Sequence, residues 1–184
     1  MRIERDPGPS LQGGAVSEQN ATVPTTADIL SAIRRLHLGN QWAFFEELRI
    51  GTGYGQGREQ RMDAFACGLW SKNWGSMAYE VKTTRADFRR EIKAPLKRRM
   101  ALRYSNLYWF VTPQGLTEPS ELPIETGLME VHWATVSYYS ERKEGWIAKV
   151  VVPAPWRDVP PPTWSLFCAV ARRVASIEQN GASA

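Results

Sequence analysis

Two short apolar stretches of the chain each carry an acidic residue, and the second also carries a lysine. Asp63 interrupts one stretch, while Glu80 and Lys82 close another that begins at Met77. If both stretches are β-strands, Glu80 and Lys82 point to one face because they are two residues apart. An acid in an apolar strand is costly to bury unless it is paired or holds a cation. Two carboxylates beside a lysine are typical of metal-dependent phosphodiester hydrolysis.

That chemistry assigns a role to each residue of the group. Hydrolysis of a phosphodiester needs charge neutralisation on the phosphate and a deprotonated water aimed in line with the leaving oxygen. Mg²⁺ or Mn²⁺ supplies both, and these hard cations prefer carboxylate and carbonyl oxygens. We therefore predict that Asp63, Glu80 and the backbone carbonyl of Val81 bind Mg²⁺ (or Mn²⁺). Lys82 would hold the attacking water or stabilise the developing charge.

A further catalytic carboxylate is expected at Glu46 or Glu47, on the element before a glycine-rich loop. On a strand only one of the two side chains can face the site. Alternation does not decide between them, because Phe44 and Phe45 fit both registers. We favour Glu47.

The tripeptide itself is weak evidence, since the spacing Glu-x-Lys occurs again at Glu91-Ile92-Lys93 and at Glu141-Arg142-Lys143. Only Glu80-Val81-Lys82 follows an apolar strand entry and an earlier strand with an embedded acid. The strand setting therefore carries the interpretation, with a solvated row of charges on a sheet face as the alternative.

A strongly basic segment follows the group directly. From Lys82 to Arg103 the chain carries nine basic and two acidic residues, a net charge of +7 against +4 for the whole chain. A helix with this charge could follow a phosphate backbone and bind it in a salt-dependent manner; an ordinary solvated helix face is the alternative. The residues that we expect to contact DNA are Arg85, Arg89, Arg90, Lys93, Lys97, Arg98 and Arg99.

Hydrophobic periodicity predicts the elements that position these residues. Three sequential strands with short connections indicate an antiparallel meander between two helices, followed by a further strand. The predicted elements are a helix over residues 27–36, strands over 42–50, 61–67 and 76–82, a helix over 84–104 that Pro95 kinks or divides, and a strand over 107–111.

The rest of the chain is predicted to flank this core. Residues 1–24 have the composition of a disordered leader, and residues 25–152 form the main domain. Strand candidates lie at 127–133 and 135–152, with a turn at Gly145. Residues 153–184 are expected to form a proline-rich linker and a C-terminal helix, from about Thr163 to Ile177, that packs on the core.

Composition narrows the class of protein. With 184 residues, 43% of them apolar, the chain fits one well-packed domain. Cys67 and Cys168 form no CxxC motif, which argues against a zinc site or a disulfide framework and favours a reducing compartment. No apolar run approaches the ~18 residues of a spanning helix, and no secretion signal is evident. We predict a cytoplasmic protein without a membrane partner.

These motifs together resemble a known family. The order Glu47, Asp63, Glu80-Val81-Lys82 resembles the PD-(D/E)xK nuclease superfamily, whose core is a helix, a three-stranded meander, a helix and a further strand. Residues 80–89, with 108–113 and 121–128, are similar to the bacterial and phage branch that includes MmcB-type DNA-repair proteins. Met62 stands where the superfamily often has proline. The resemblance covers roughly residues 27–133.

The resemblance implies both a fold and an activity. The expected fold is an α/β, restriction-endonuclease-like core with a mixed central sheet, extended by C-terminal strands and a helix. The expected activity is that of a Mg²⁺-dependent deoxyribonuclease in DNA repair, recombination or phage DNA processing, with Asp63, Glu80 and Lys82 at the signature positions. The alternatives are a non-catalytic DNA-binding accessory protein on the same fold and an RNA-processing nuclease. We also allow for a homodimer.

Overall fold

The computed structural model describes residues 23–50, 60–138 and 141–181. The predicted leader falls almost wholly outside this part of the chain; of its last two residues, Val23 is exposed and Pro24 is buried. The glycine-rich loop between the first two strands also lies outside the described residues.

The protein has an α/β fold around a six-stranded mixed sheet with strand order β1-β2-β3-β4-β5-β6. Strands β1 to β3 form an antiparallel meander, β4 and β5 add in parallel, and β6 pairs antiparallel with β5. The strands are β1 Trp42–Ile50, β2 Gln60–Gly68, β3 Ser76–Val81, β4 Leu107–Pro113, β5 Gly127–Tyr138 and β6 Glu141–Val152.

Four α-helices cover the two faces of the sheet: α1 Thr26–Arg35, α2 Arg85–Ile92, α3 Arg99–Tyr104 and α4 Trp164–Gly181. Thr25 caps α1 by accepting a hydrogen bond from the backbone of Asp28, and Thr84 caps α2 in the same way through Asp87. The predicted helix over 84–104 is divided. Pro95 starts a 3₁₀ turn, Pro95–Arg98, between α2 and α3, because proline has no N–H to continue the helix.

Each sheet face has its own apolar cluster. On one face α1 packs against β2 to β6, with the buried residues Ile29, Ile33, Ala64, Tyr79, Val81, Val111 and Val131. On the other face α2, α3 and α4 pack over Phe45, Phe65, Ala78, Tyr108 and Phe110. Alternation along β3 thus puts Tyr79 and Val81 on the α1 face and Ala78 and Glu80 on the α2 face.

The predicted turn at Gly145 is wrong. Gly145 lies inside β6, paired with Ala134, and the pairing of β5 with β6 continues beyond it to Tyr138–Glu141. A Cβ atom at this glycine would lie 3.0 Å from the guanidinium of Arg35. The glycine therefore reflects the close approach of the α1 C-terminus rather than a turn.

The chain after β6 runs back over the core to α4. The Arg157 side chain donates a 2.6 Å hydrogen bond to the carbonyl of Ser105, and Thr163 accepts from the backbone N–H of Leu166 at the start of α4. Leu166 and Ala169 then join the apolar cluster on the α2 face. None of the described helices combines the length and apolarity needed to cross a bilayer.

Candidate active site

The site lies where β2 and β3 part. The ladder between them runs from Cys67–Ser76 to Ala64–Tyr79 and then ends. Asp63 and Glu80 are the next residues on the two strands. In place of a further ladder bond, the backbone N–H of Val81 donates to Oδ2 of Asp63 at 2.9 Å. We call this opening, with Asp63 and Glu80 on its two sides, the fork.

Lys82 lies at the fork between two acids. Its Nζ atom is 2.5 Å from Oε1 of Glu80 and 3.6 Å from Oε2 of Glu91. The exposed fractions of the three side chains are only 14%, 16% and 10%. The backbone N–H of Lys82 donates to the carbonyl of Val111 at 3.0 Å, which fixes the end of β3 against β4. The ammonium group is thus held at a partly buried point with two negative neighbours.

The electrostatics of the fork reflect an excess of negative charge. Burial first, and then the nearby charge of Asp63, raise the pKa of Glu80 to about 7 against the opposing effect of Lys82. Burial by itself lowers the pKa of Lys82, but the acids Glu80, Glu91 and Asp63 outweigh it, so the pKa is raised. Lys82 therefore remains a cation, and the acids around it outnumber it three to one.

Tyr108 of β4 lies beneath these acids. It is buried, and its pKa is raised well above the ordinary value, first by burial and then by the charges of Glu80 and Glu91. Its ring contacts Phe110 edge-to-face, with centroids 5.6 Å apart. The fork therefore borders the apolar cluster to which Tyr108 and Phe110 belong.

The donor set suits a hard divalent cation. Asp63 and Glu80 offer carboxylate oxygens at the fork, and the backbone of Val81 runs between them. Across the described ranges, no three His, Cys, Asp or Glu side chains are grouped so as to hold a metal ion. An ion here would depend on the two carboxylates, the Val81 carbonyl and water, and Mg²⁺ commonly keeps several waters in proteins.

The two acids of β1 have different surroundings. Glu46 faces α1 and forms a 2.8 Å ion pair with Arg34. Glu47 has a positive φ of 53° and lies between the pairs Glu46–Ala64 and Leu48–Met62, level with Asp63. Its carboxylate is 58% exposed and 3.4 Å from Arg61, whose guanidinium is 4.0 Å from Asp63. The structure brings Glu47 beside Asp63 through Arg61, and does not bring it into contact with Lys82.

Sequence reasoning missed Glu91, which it counted only as a charge in a basic helix. Glu91 lies three residues after Phe88, which is fully buried in the apolar cluster. Residues three apart share a helix face, so this spacing was a usable signal that Glu91 points inward. Its position puts a second acid, besides Glu80, next to Lys82.

The predicted DNA-contacting residues separate into two sets. Arg98 is 3% exposed; its guanidinium donates to the carbonyl of Glu91 at 2.7 Å and pairs with Glu125 at 3.4 Å. Arg85 is ion-paired with Glu121 at 2.6 Å. We therefore leave Arg98 out of the candidate binding surface. The members with exposed positions are Arg89, Arg90, Lys93, Lys97 and Arg99.

These five exposed residues, which we call the basic surface, follow the fork along the chain. Arg89 and Lys93 line a groove together with Ile92 and Glu121. Arg90 forms a 3.0 Å ion pair with Asp87 but its side chain remains 71% exposed. A polyanion lying along α2 would meet several cations within one helical turn or two.

Comparison with known proteins adds no assignment. A scan against protein-family models and searches of the curated proteins and of the solved structures found no match to this chain. The functional argument therefore depends on the fork and the basic surface.

Proposed function

We propose that this chain is a Mg²⁺-dependent nuclease with a restriction-endonuclease-like core, acting on DNA in repair, recombination or phage DNA processing. The observation that supports this best is the convergence of Asp63, Glu80 and Lys82 at the fork. Two acids from separate strands and one lysine are held there by backbone pairing. The same three residues carry the PD-(D/E)xK resemblance in the sequence.

Each residue at the fork has a task in this proposal. Asp63, Glu80 and the carbonyl of Val81 would hold the ion. When bound, the ion would neutralise phosphate charge and lower the pKa of a water molecule. Lys82 presents a cationic donor that orients a water or offsets charge developing on the phosphate. Glu91 keeps Lys82 charged and directed toward the fork.

The basic surface supports a nucleic-acid substrate. α2 begins at Arg85, three residues after Lys82, so its cations lie close to the fork. Cations along one face bind a phosphate backbone without reading its sequence. This arrangement would place a phosphodiester of the bound strand near Lys82.

A substrate panel with Mg²⁺ or Mn²⁺ tests the proposal. Single-stranded, duplex, nicked and branched DNA, with matching RNA, would be incubated with the protein and with the Lys82→Ala variant. We expect cleavage of at least one DNA form, its loss on adding EDTA, and a decrease in kcat of about 10²-fold or more for Lys82→Ala, as for loss of a charge-stabilising group.

The control is Lys149→Ala, which removes an exposed lysine of β6 and should leave the rate unchanged. Circular dichroism and DNA affinity should match between Lys82→Ala and the unmodified protein. The nuclease proposal would be abandoned if no DNA form is cut with either metal.

A second candidate is a non-catalytic DNA-binding accessory protein on the same fold. The close ion pair of Lys82 with Glu80 favours it, because the lysine already has a carboxylate partner. Calorimetry separates the two candidates. The absence of Mg²⁺ and Mn²⁺ binding in a protein that still binds DNA would favour the accessory role.

A further inference from the structure

α4 is apolar on both of its sides. Its inner side places Leu166 and Ala169 in the core. Its outer side exposes Trp164 by 76% and Phe167 by 57%. The two rings stack on each other, with centroids 5.0 Å apart and an interplanar angle of 26°. A helix with apolar residues on both sides is typically covered on both sides.

The side chains on the outer side of α4 change from large to small along the helix. Its first turn carries the large residues Trp164 and Phe167, and the following turns carry the small exposed residues Ala171, Val174 and Ala175. The spacing of three and four residues keeps these positions on one stripe. If a second α4 lies antiparallel with Ala171 at the centre, Phe167 of each copy meets Val174 and Ala175 of the other. The apolar part of the stripe is therefore complementary to itself, while Trp164 of each copy meets the exposed Glu178 of the other at the edge of the contact.

We propose that two copies of this chain form a homodimer through antiparallel packing of their α4 helices, with the two-fold axis beside Ala171. The reversal of size about Ala171 is what a two-fold contact needs, because one surface must fit its own rotated copy. Another protein as the partner would require no such symmetry within a single helix. This inference does not depend on the proposed nuclease activity.

The exposed apolar area of α4 determines how stable the dimer is expected to be. An aromatic side chain buries about 150–250 Å², so the exposed parts of Trp164 and Phe167 amount to roughly 300 Å² per copy. The rings of two copies thus supply about 600 Å², half of the ~1,200 Å² at which specific interfaces begin, before the small residues are added. The dimer is therefore weak and reversible, and it forms as the protein concentration rises through the micromolar range.

Sedimentation velocity of the full chain over a concentration series tests for this dimer. We expect a concentration-dependent monomer–dimer equilibrium, with a dissociation constant that rises about tenfold or more in Phe167→Glu, because a charge enters the centre of an apolar contact. The matched control is Ile124→Glu, at another exposed apolar residue, 94% exposed, which should leave the equilibrium unchanged. A monomer at every concentration, or equal effects of the two variants, overturns the proposal.

Cysteine cross-linking tests the orientation. Packed helix axes are about 8–10 Å apart and Cα atoms lie about 2.3 Å from each axis, so two Ala171 Cα atoms at the centre come within disulfide range. In a background with the free Cys67 and Cys168 replaced by serine, Ala171→Cys should form a disulfide-linked dimer under mild oxidation. Glu178→Cys should not, because its two copies lie about 21 Å apart along the axis. Cross-linking of both variants, or of neither, overturns the antiparallel pairing.

Discussion

Lys82 is held by two acids that come from different elements, Glu80 of β3 and Glu91 of α2. Sequence spacing could relate Glu80 to Lys82, because two residues on one strand share a face. It could not relate Glu91 to Lys82, because that contact depends on how α2 packs against the sheet. The group at the fork therefore needs both local spacing and tertiary packing.

Replacing Glu91 by glutamine should lower kcat about tenfold with little change in KM, since Lys82 loses one of the charges that hold it while the basic surface is untouched. Steady-state kinetics on the best DNA substrate measures the two constants separately. Glu144→Gln, at an exposed acid of β6, is the matched control. A rise in KM alone would assign Glu91 to substrate binding instead.

The sheet faces occupied by Glu46 and Glu47 of β1 could not be predicted from the residue pattern. Phe45, Leu48 and Ile50 all pack into the cluster on the α2 face, although strict alternation would separate Phe45 from Leu48. The left-handed backbone at Glu47 breaks the two-residue period at this point. No alternation rule applied to the sequence could place Glu46 and Glu47, because the period changes between them and Leu48.

At the scale of elements, the order helix, three strands, helix, strand was predictable from periodicity, and the structure has that order. Pro95 predicts either a kink in the second helix or its division, and the structure has the division, with the 3₁₀ turn Pro95–Arg98 between α2 and α3. Arg98 lies in that turn, and its guanidinium points inward toward Glu91 and Glu125. The four-residue periodicity predicts an apolar stripe, but it does not predict that Arg98, in the 3₁₀ turn, is buried.

The basic surface predicts a salt effect on DNA affinity. The double variant Arg89→Ala with Lys93→Ala should bind DNA more weakly, and the slope of log K against log salt should fall by about 1–2, one for each lost phosphate contact. Fluorescence anisotropy at several salt concentrations gives this slope. Arg34→Ala, on the α1 face and paired with Glu46, should leave the slope unchanged, and an equal loss in that control would argue against α2 as the binding face.

At the scale of the whole molecule, stability depends on a histidine on the face opposite the fork. His37 is buried, and its Nε2 atom lies 2.6 Å from the hydroxyl of Tyr79. Its ring packs against Trp42 and Phe44, with centroids 4.8 and 5.7 Å away. Burial lowers the pKa of His37 to about 4. Protonating this ring in the folded protein is therefore unfavourable.

The sign of the resulting pH dependence follows from that shift. Between the folded pKa of about 4 and the ordinary value of 6.5, only the unfolded chain takes up the proton. The contribution of His37 to the free energy of unfolding should therefore fall by about 1.4 kcal/mol per pH unit as the pH drops through this window. Glu80, whose pKa is raised to about 7, contributes a slope of the opposite sign, so the His37 contribution is the difference between the unmodified protein and His37→Phe. Urea denaturation at several pH values measures it, and His37→Phe should remove this slope. His132→Gln should keep most of it; equal slopes in His37→Phe and the unmodified protein would contradict the assignment.

The Asp63 side chain accepts a hydrogen bond from the backbone of Val81 and is also a candidate metal ligand. At the fork, a carboxylate stands in for the backbone carbonyl that a neighbouring strand would normally supply. The end of β3, and Lys82 with it, is thus tied to the sheet by the same group that would bind a cation. A ligand that draws Asp63 away would free the N–H of Val81 and leave the end of β3 held by β4 alone, through Lys82 and Val111. Occupancy of the fork is therefore linked to the pairing of β3 on its β2 side.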